Sequence, residues 1–254
     1  LHFISLKIIS LACLYLAVAL YAGCLIFLLL DIRELSEVFL IAGFIIHTFS
    51  QVSRGYFIGI FTPNAVVEGI FFLPWCLACL LLSLRLFKKE GSPLGAPLVL
   101  LCFFAIIALF YPKGVIPMSP YTKTAYSTLF FFFEIFAHAC FLLGACFGFL
   151  YIRGKEKSTL FNSLVIWGFI LYSIAQVVGA IWCYLGWAAL FNWSERHMQS
   201  ATIWCFYAAY LHLHLLPSWD MKRRAAFSLA GGFIVFALSY SGHVMEMGMT
   251  RIGG

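Results

Sequence analysis

Charge is what this sequence has least of: only 10% of its 254 residues are Asp, Glu, Lys or Arg, against 63% hydrophobic. A solvated globular surface needs about a quarter of its residues charged, so a soluble enzyme is excluded. The same scarcity argues against a nucleic-acid module, although the net charge is +6. Linkers, internal repeats and low-complexity tracts are also lacking, and a single domain over residues 1–254 is expected. A small-residue cleavage pattern is missing from the N-terminal region, whose apolar run 8–30 is too long for a signal peptide and reads as a spanning helix. The nine cysteines lie scattered through apolar runs as small buried hydrophobes, which excludes a disulfide-stapled secreted domain. Cys76 and Cys79 form a CxxC, but inside an apolar run with none of the polar context that activates thiols.

What remains is apolar and aromatic. Mean hydropathy is +0.99, and 28 Phe and 7 Trp suit lipid-facing helices and interfacial belts. A membrane-crossing helix needs about 20 mainly apolar residues. Eight candidates follow: 5–30, 38–53, 67–84, 94–111, 128–151, 164–185, 201–216 and 225–240. The expected fold is thus all-α, a polytopic transmembrane bundle of about eight spans in a lipid bilayer. The second and seventh candidates are short and carry His47, Gln51, His212 and His214, as spans do when they lie inside a bundle.

Basic residues gather in alternate loops: Arg33; Arg85, Lys88 and Lys89; Arg153, Lys155 and Lys157; Lys222, Arg223 and Arg224. By the positive-inside rule that side is cytoplasmic. Both termini and the segments 54–66, 112–127 and 186–200 are then external. Gly144 and Gly148 form a GxxxG, a candidate close helix contact.

Ionisable groups inside spans are costly and so are functional candidates: His47, Glu68, Glu134, His138, His212 and His214. Histidines among many aromatics are what would hold a haem, with imidazole on iron; the alternative is a histidine that hydrogen-bonds a neighbouring helix. His47 stands seven residues, about 10 Å, from Arg54, and His212 about 12 residues, or about 18 Å, beyond Ser200. Both depths fall in the bilayer interior, so a bis-histidine pair between the second and seventh helices is allowed. His214 points about 200° away from His212 and should find another partner. Glu134 and His138, at i and i+4, share a face and could form a proton relay, a second ligand site or a buried ion pair that only packs helices. Between Gly179 and Leu213, Trp182, Trp187, Trp193 and Trp204 cluster near a membrane boundary, and Trp187, Phe191 and Trp193 inside the loop suggest a platform for a flat apolar ligand.

At these residues the chain resembles the haem-handling CcsA/ResC group of cytochrome c biogenesis, with its tryptophan-rich WWD motif. Gly179, Ala180, Trp182, Trp187, Trp193, Trp204 and Tyr210-Leu211-His212 fall at matching spacings. His47, Arg54, Gly59 and Glu68 resemble the family's early signature, with Pro63 offset by one position, and Ser241-Gly242-His243 resembles its SGLHSY element. The resemblance implies haem b handling in a bacterial inner or thylakoid membrane. It implies presentation on an external WWD-like loop for attachment to CXXCH sites of apocytochrome c, beside a CcsB/ResB-like membrane partner, within a haem–cytochrome c ligase complex. It makes His47 and His212 transmembrane ligands of haem iron and His243 an external one. It makes Trp182, Trp187 and Trp193 platform residues, and Arg54 and Glu68 part of the cofactor-binding set.

The family's DPKETW continuation is replaced by Ser194-Glu195-Arg196-His197-Met198-Gln199, the second core tryptophan is Phe191, and Phe131 stands where an external histidine is expected. His197 is a candidate substitute. These departures leave two alternatives: a HemX-like regulatory or degenerate haem-binding paralogue, or a proton-linked transporter or quinol redox subunit using Glu134 and His138.

Overall fold

The computed structural model describes residues 2–58, 66–87, 94–110, 123–156, 158–191 and 193–241. Among these, eight α-helices and one 3-10 turn account for the regular structure, and no strand occurs. In chain order they are α1 (His2–Leu29), α2 (Arg33–Ile58), α3 (Val66–Phe87), α4 (Gly95–Phe110), α5 (Ala125–Ile152), α6 (Leu160–Trp187), α7 (Glu195–His212) and α8 (Met221–Ser239). Five contain stretches long and apolar enough to cross a membrane: Ile8–Leu29, Arg33–Tyr56, Gly69–Leu86, Ala125–Ile152 and Leu160–Trp187. α4 is a shorter apolar helix. Helices satisfy their own backbone hydrogen bonds, which is why such apolar runs take this form in a bilayer. This is a helical integral membrane protein.

α2 is longer than the 16-residue run expected from hydropathy. Its ends, with Arg33, Glu34 and Glu37 at one and Gln51 and Arg54 at the other, continue the helix past the apolar stretch that a hydropathy window detects. α7 likewise begins at Glu195, before the expected start, and stops at His212, where a 3-10 turn over Leu213–Leu215 takes over.

The chain forms two compact units, Leu1–Ser119 and Pro120–Gly254. In the first, α1 and α2 are an antiparallel pair joined by a tight turn at Asp31, which adopts a left-handed φ of 58°. Aspartate tolerates that conformation better than most residues. Reciprocal bonds lock the far end of the pair: Ser10 Oγ donates to the Ser50 carbonyl at 3.0 Å and Ser50 Oγ to the Ser10 carbonyl at 2.7 Å. Arg85 of α3 pairs with Glu37 of α2 at 3.5 Å, so basic residues of two inter-helix connections share one end of this unit.

In the second unit α5 is the central helix, buried on nearly every side. Thr124 caps it by accepting from the Ser127 N–H, and Asp220 caps α8 by accepting from the Arg223 N–H. The expected GxxxG contact is present. A Cβ at Gly148 would stand 2.9 Å from the Ala225 carbonyl oxygen of α8, and one at Gly144 3.0 Å from Val165 of α6. The two glycines therefore let three helices converge on one seam.

Candidate functional site

His47 sits at the middle of α2 and is fully buried in the first unit. Its Nδ1 lies 3.3 Å from the Tyr21 hydroxyl of α1, and its Nε2 lies 3.2 Å from the side-chain amide nitrogen of Gln51. That amide also donates to the Phe71 carbonyl of α3 at 2.8 Å. One residue along, Thr48 accepts a 2.8 Å bond from the indole of Trp75, which stacks between Phe44 and Phe72. Arg54, two turns beyond His47, is buried with its guanidinium 4.5 Å from the centre of the Phe71 ring. His47 is thus held between α1 and α2, with its ring 5.9 Å from that of Tyr21, and is tied to α3 through Gln51. Glu68 belongs to α3, and its side chain lies outside the described residues.

His212 belongs to the second unit, at the last position of α7, and is exposed. Its Nδ1 bonds the Ala208 carbonyl at 2.8 Å. A carbonyl only accepts, so the proton is on Nδ1 and the Nε2 lone pair faces outward, the form in which an imidazole binds iron. His214, in the 3-10 turn that follows α7, has other partners: it meets Arg224 at 3.0 Å and the ring of Tyr210. His243 lies outside the described residues.

The loop between α6 and α7 opens with Trp187, the last residue of α6, followed by Ala188 in a left-handed conformation with φ 54°. That turn sends the chain out, leaving Trp193 84% and Trp187 59% exposed. Phe191 sits edge-on to Trp193, with ring centres 5.5 Å apart, and 5.3 Å from the ring of His197. Ser194 does not cap α7 with its hydroxyl; that group instead contacts His197 Nδ1 at 2.8 Å, while Cys183 Sγ lies 3.1 Å from Nε2. Burial and, second to it, the adjacent Arg196 guanidinium hold the His197 imidazole below its ordinary pKa of 6.5. Both His197 nitrogens are engaged, so it is not poised as a substitute ligand.

Trp182 packs 6.0 Å from both Phe130 and Phe131, as wall rather than exposed platform. Phe131 is buried there. Trp204 stands apart from the loop, its indole donating to Ser173 at 3.1 Å on α6.

Glu134 and His138 do not pair with each other. Glu134 takes Arg196 of α7 as its ion-pair partner, and His138 Nδ1 bonds the Tyr240 hydroxyl at 3.0 Å. His138 also lies 5.6 Å from the Tyr172 ring, and its Nε2 has no hydrogen-bond partner among the described residues. α5 thereby anchors the neighbour of His197 and a residue three positions before His243. Spacing within α5 alone could not reveal this, because both partners come from other helices. Arg196, Tyr240 and Tyr21 carried no local signal, whereas Gln51, one turn from His47, was findable by its i+4 spacing.

The family of cytochrome C assembly proteins matches residues 64–247, nearly three quarters of the sequence. The chain belongs to that family. It is similar to the cytochrome c biogenesis protein CcsA of Prochlorococcus marinus strain MIT 9515, with 29% identity over 99 residues, 39% of this chain and 32% of the relative. CcsA of strain MIT 9312 is 30% identical over 102 residues, covering 40% of this chain and 33% of the relative. The match spans about a third of the length of these curated relatives. No solved structure matches. The family match includes Glu68, the loop tryptophans, His212 and His243; His47 and Arg54 lie before its first residue.

Proposed function

We propose that this family member binds haem b in the membrane and presents it for cytochrome c maturation, as a subunit of a haem–cytochrome c synthetase. Residues 1–254 act as one assembly domain. The observation that carries the reading is the loop of Trp187, Phe191 and Trp193, which leaves large aromatic faces open to a flat apolar ligand at the head of α7, the family-matched His212 with its outward Nε2 standing at the other end of that helix.

The residues present fit haem. His212 offers an outward nitrogen with its tautomer fixed by a backbone carbonyl, whereas His47 has both ring nitrogens hydrogen-bonded and would ligate iron only by giving up one of those bonds. Haem supplies an iron that imidazoles ligate and a porphyrin face that stacks on indoles. The chain's own part is to bind, orient and release it: Trp187 and Trp193 as the platform and His243 as the external ligand, with Arg54 and Glu68 kept in the cofactor-binding set that the family resemblance implies. The aromatic loop is read as external, facing apocytochrome c with its CXXCH site, beside a CcsB/ResB-like membrane partner. Basic residues in the other loops support that orientation.

Cytochrome c maturation in a complementation strain tests this. Trp193→Ala or His243→Ala should abolish maturation while the membrane haem remains. Normal maturation with both would favour a HemX-like regulatory paralogue. A specific observation gives that second reading weight: Phe131 is buried where an external ligand is expected, and His197 is occupied by Ser194 and Cys183.

A further inference from the structure

The glycine seam brings two basic turns together at the end of the second unit. Gly148 lies one turn before the end of α5 and Ala225 one turn after the start of α8, and a Cβ at Gly148 would stand 2.9 Å from the Ala225 carbonyl oxygen. Backbones that close leave the turns just beyond them side by side. One is the turn from α5 to α6, with Arg153 and Lys155; the other is the first turn of α8, with Lys222 and Arg223. All four residues are exposed.

No carboxylate pairs with any of these four side chains among the described residues. The nearest acids in sequence are turned to the backbone: Glu156 is buried and accepts the Ser158 N–H at 2.8 Å, and Asp220 accepts the Arg223 N–H at 2.9 Å as the cap of α8. The first unit differs. There Arg33 pairs with Asp31 at 3.1 Å and Arg85 with Glu37 at 3.5 Å, so its basic residues have acidic partners within their own unit.

Apolar side chains rim the patch. The Arg153 guanidinium lies 5.3 Å from the centre of the Phe149 ring, and Phe149 and Ile152 are exposed on α5, as are Leu215 and Leu216 in the connection from α7 to α8. In a chain that crosses a bilayer such residues face acyl chains, and cations beside them stand at headgroup depth. One of these cations is also held in place: Arg223 donates to the Ser218 carbonyl at 2.6 Å. A guanidinium has five N–H groups, so Arg223 keeps donors for an oxygen-rich anion.

We infer that this end of the second unit binds the phosphate headgroup of an anionic phospholipid, held by Arg153, Lys155, Lys222 and Arg223, with its acyl chains against the exposed apolar residues beside them. A soluble phosphate would use only the cations. A phospholipid carries both chemistries in one molecule, as the patch does. Charge then selects the anionic lipid, because a zwitterionic headgroup brings a cation of its own. The inference is independent of the haem reading, since the aromatic loop joins the opposite ends of α6 and α7.

Native mass spectrometry of the detergent-purified full chain tests it, with phosphatidylglycerol, phosphatidylcholine and inorganic phosphate titrated in turn. Phosphatidylglycerol is expected to bind about tenfold more tightly than phosphatidylcholine, and less tightly as salt rises, because the contact is largely electrostatic. Lys222→Gln or Arg153→Gln should each lower that preference roughly fivefold, the scale of one basic residue at an anionic surface, and Gln at all four positions should abolish it. Arg33→Gln with Arg85→Gln, in the first unit, should leave it unchanged. The single variants change one exposed side chain each, and equal melting temperatures check that they fold. Equal binding of the two lipids, a preference that survives the quadruple variant, or an equal loss in the first-unit variant would overturn the site. Displacement of the lipid by inorganic phosphate at matching concentration would overturn the lipid as its occupant.

Discussion

Arg196, in the first turn of α7, reaches across to the buried carboxylate of Glu134 on α5 and forms an ion pair with it. Arg196 is partly exposed while Glu134 is almost wholly enclosed, so the pair ties the aromatic loop to the central helix of its unit. Breaking one side strands a buried charge. Arg196→Ala should therefore cost about 3 kcal/mol, toward the lower end of the range for buried pairs because the arginine keeps some solvent. Replacing both partners, as Glu134→Gln with Arg196→Met, should recover most of that loss. Thermal unfolding of the detergent-purified protein reads the difference; equal melting of Arg196→Ala and the unmodified protein would remove the anchor.

The α5–α8 seam gives a second expectation. At Gly148 an added Cβ meets backbone, the Ala225 carbonyl at 2.9 Å, whereas at Gly144 it meets a side-chain methyl of Val165 at 3.0 Å, a slightly longer approach to an apolar group. Gly148→Ala should then destabilise by about 1–3 kcal/mol, the usual cost of overpacking, and Gly144→Ala by less. The order of the two melting temperatures is the check, and a reversed order would contradict the seam.

His197 carries a pH dependence whose sign is fixed by its depressed pKa. Because the folded state favours the neutral imidazole, its contribution to stability is fully present above the unfolded value of about 6.5 and is lost as pH falls from there through the folded value. Its NMR titration midpoint should lie below 6.5. Arg196→Gln should raise that midpoint only part way, since burial is the larger cause and the guanidinium the smaller.

Helices were legible in the sequence because lipid leaves no choice: each long apolar run had to become one. Their ends were less legible, since the polar turns of α2 carry no hydropathy signal, and α7 starts at Glu195 in the loop that departs from the family pattern. His214 does find another partner than His212, meeting Arg224 and Tyr210, but it does so from the 3-10 turn that ends α7 and not from a continued α-helix. Glu134 and His138 were correctly picked out as buried, but a spacing of four names neighbours on one helix and says nothing of Arg196 or Tyr240, which arrive from 62 and 102 residues away. Trp182, Trp187 and Trp193 look alike in sequence, yet only the last two are exposed, because the left-handed turn at Ala188 comes after Trp182 is already packed on Phe130 and Phe131.

The most direct measurement is a reduced-minus-oxidised optical spectrum with pyridine haemochrome quantification on the detergent-purified protein, alongside His47→Ala and His212→Ala. Stoichiometric b-type haem is expected, with haem binding weakened or its spectrum changed when the histidine that ligates it is replaced. A protein free of haem after expression with ample haem supply, or variants that keep an unchanged six-coordinate spectrum, would contradict haem handling through these histidines.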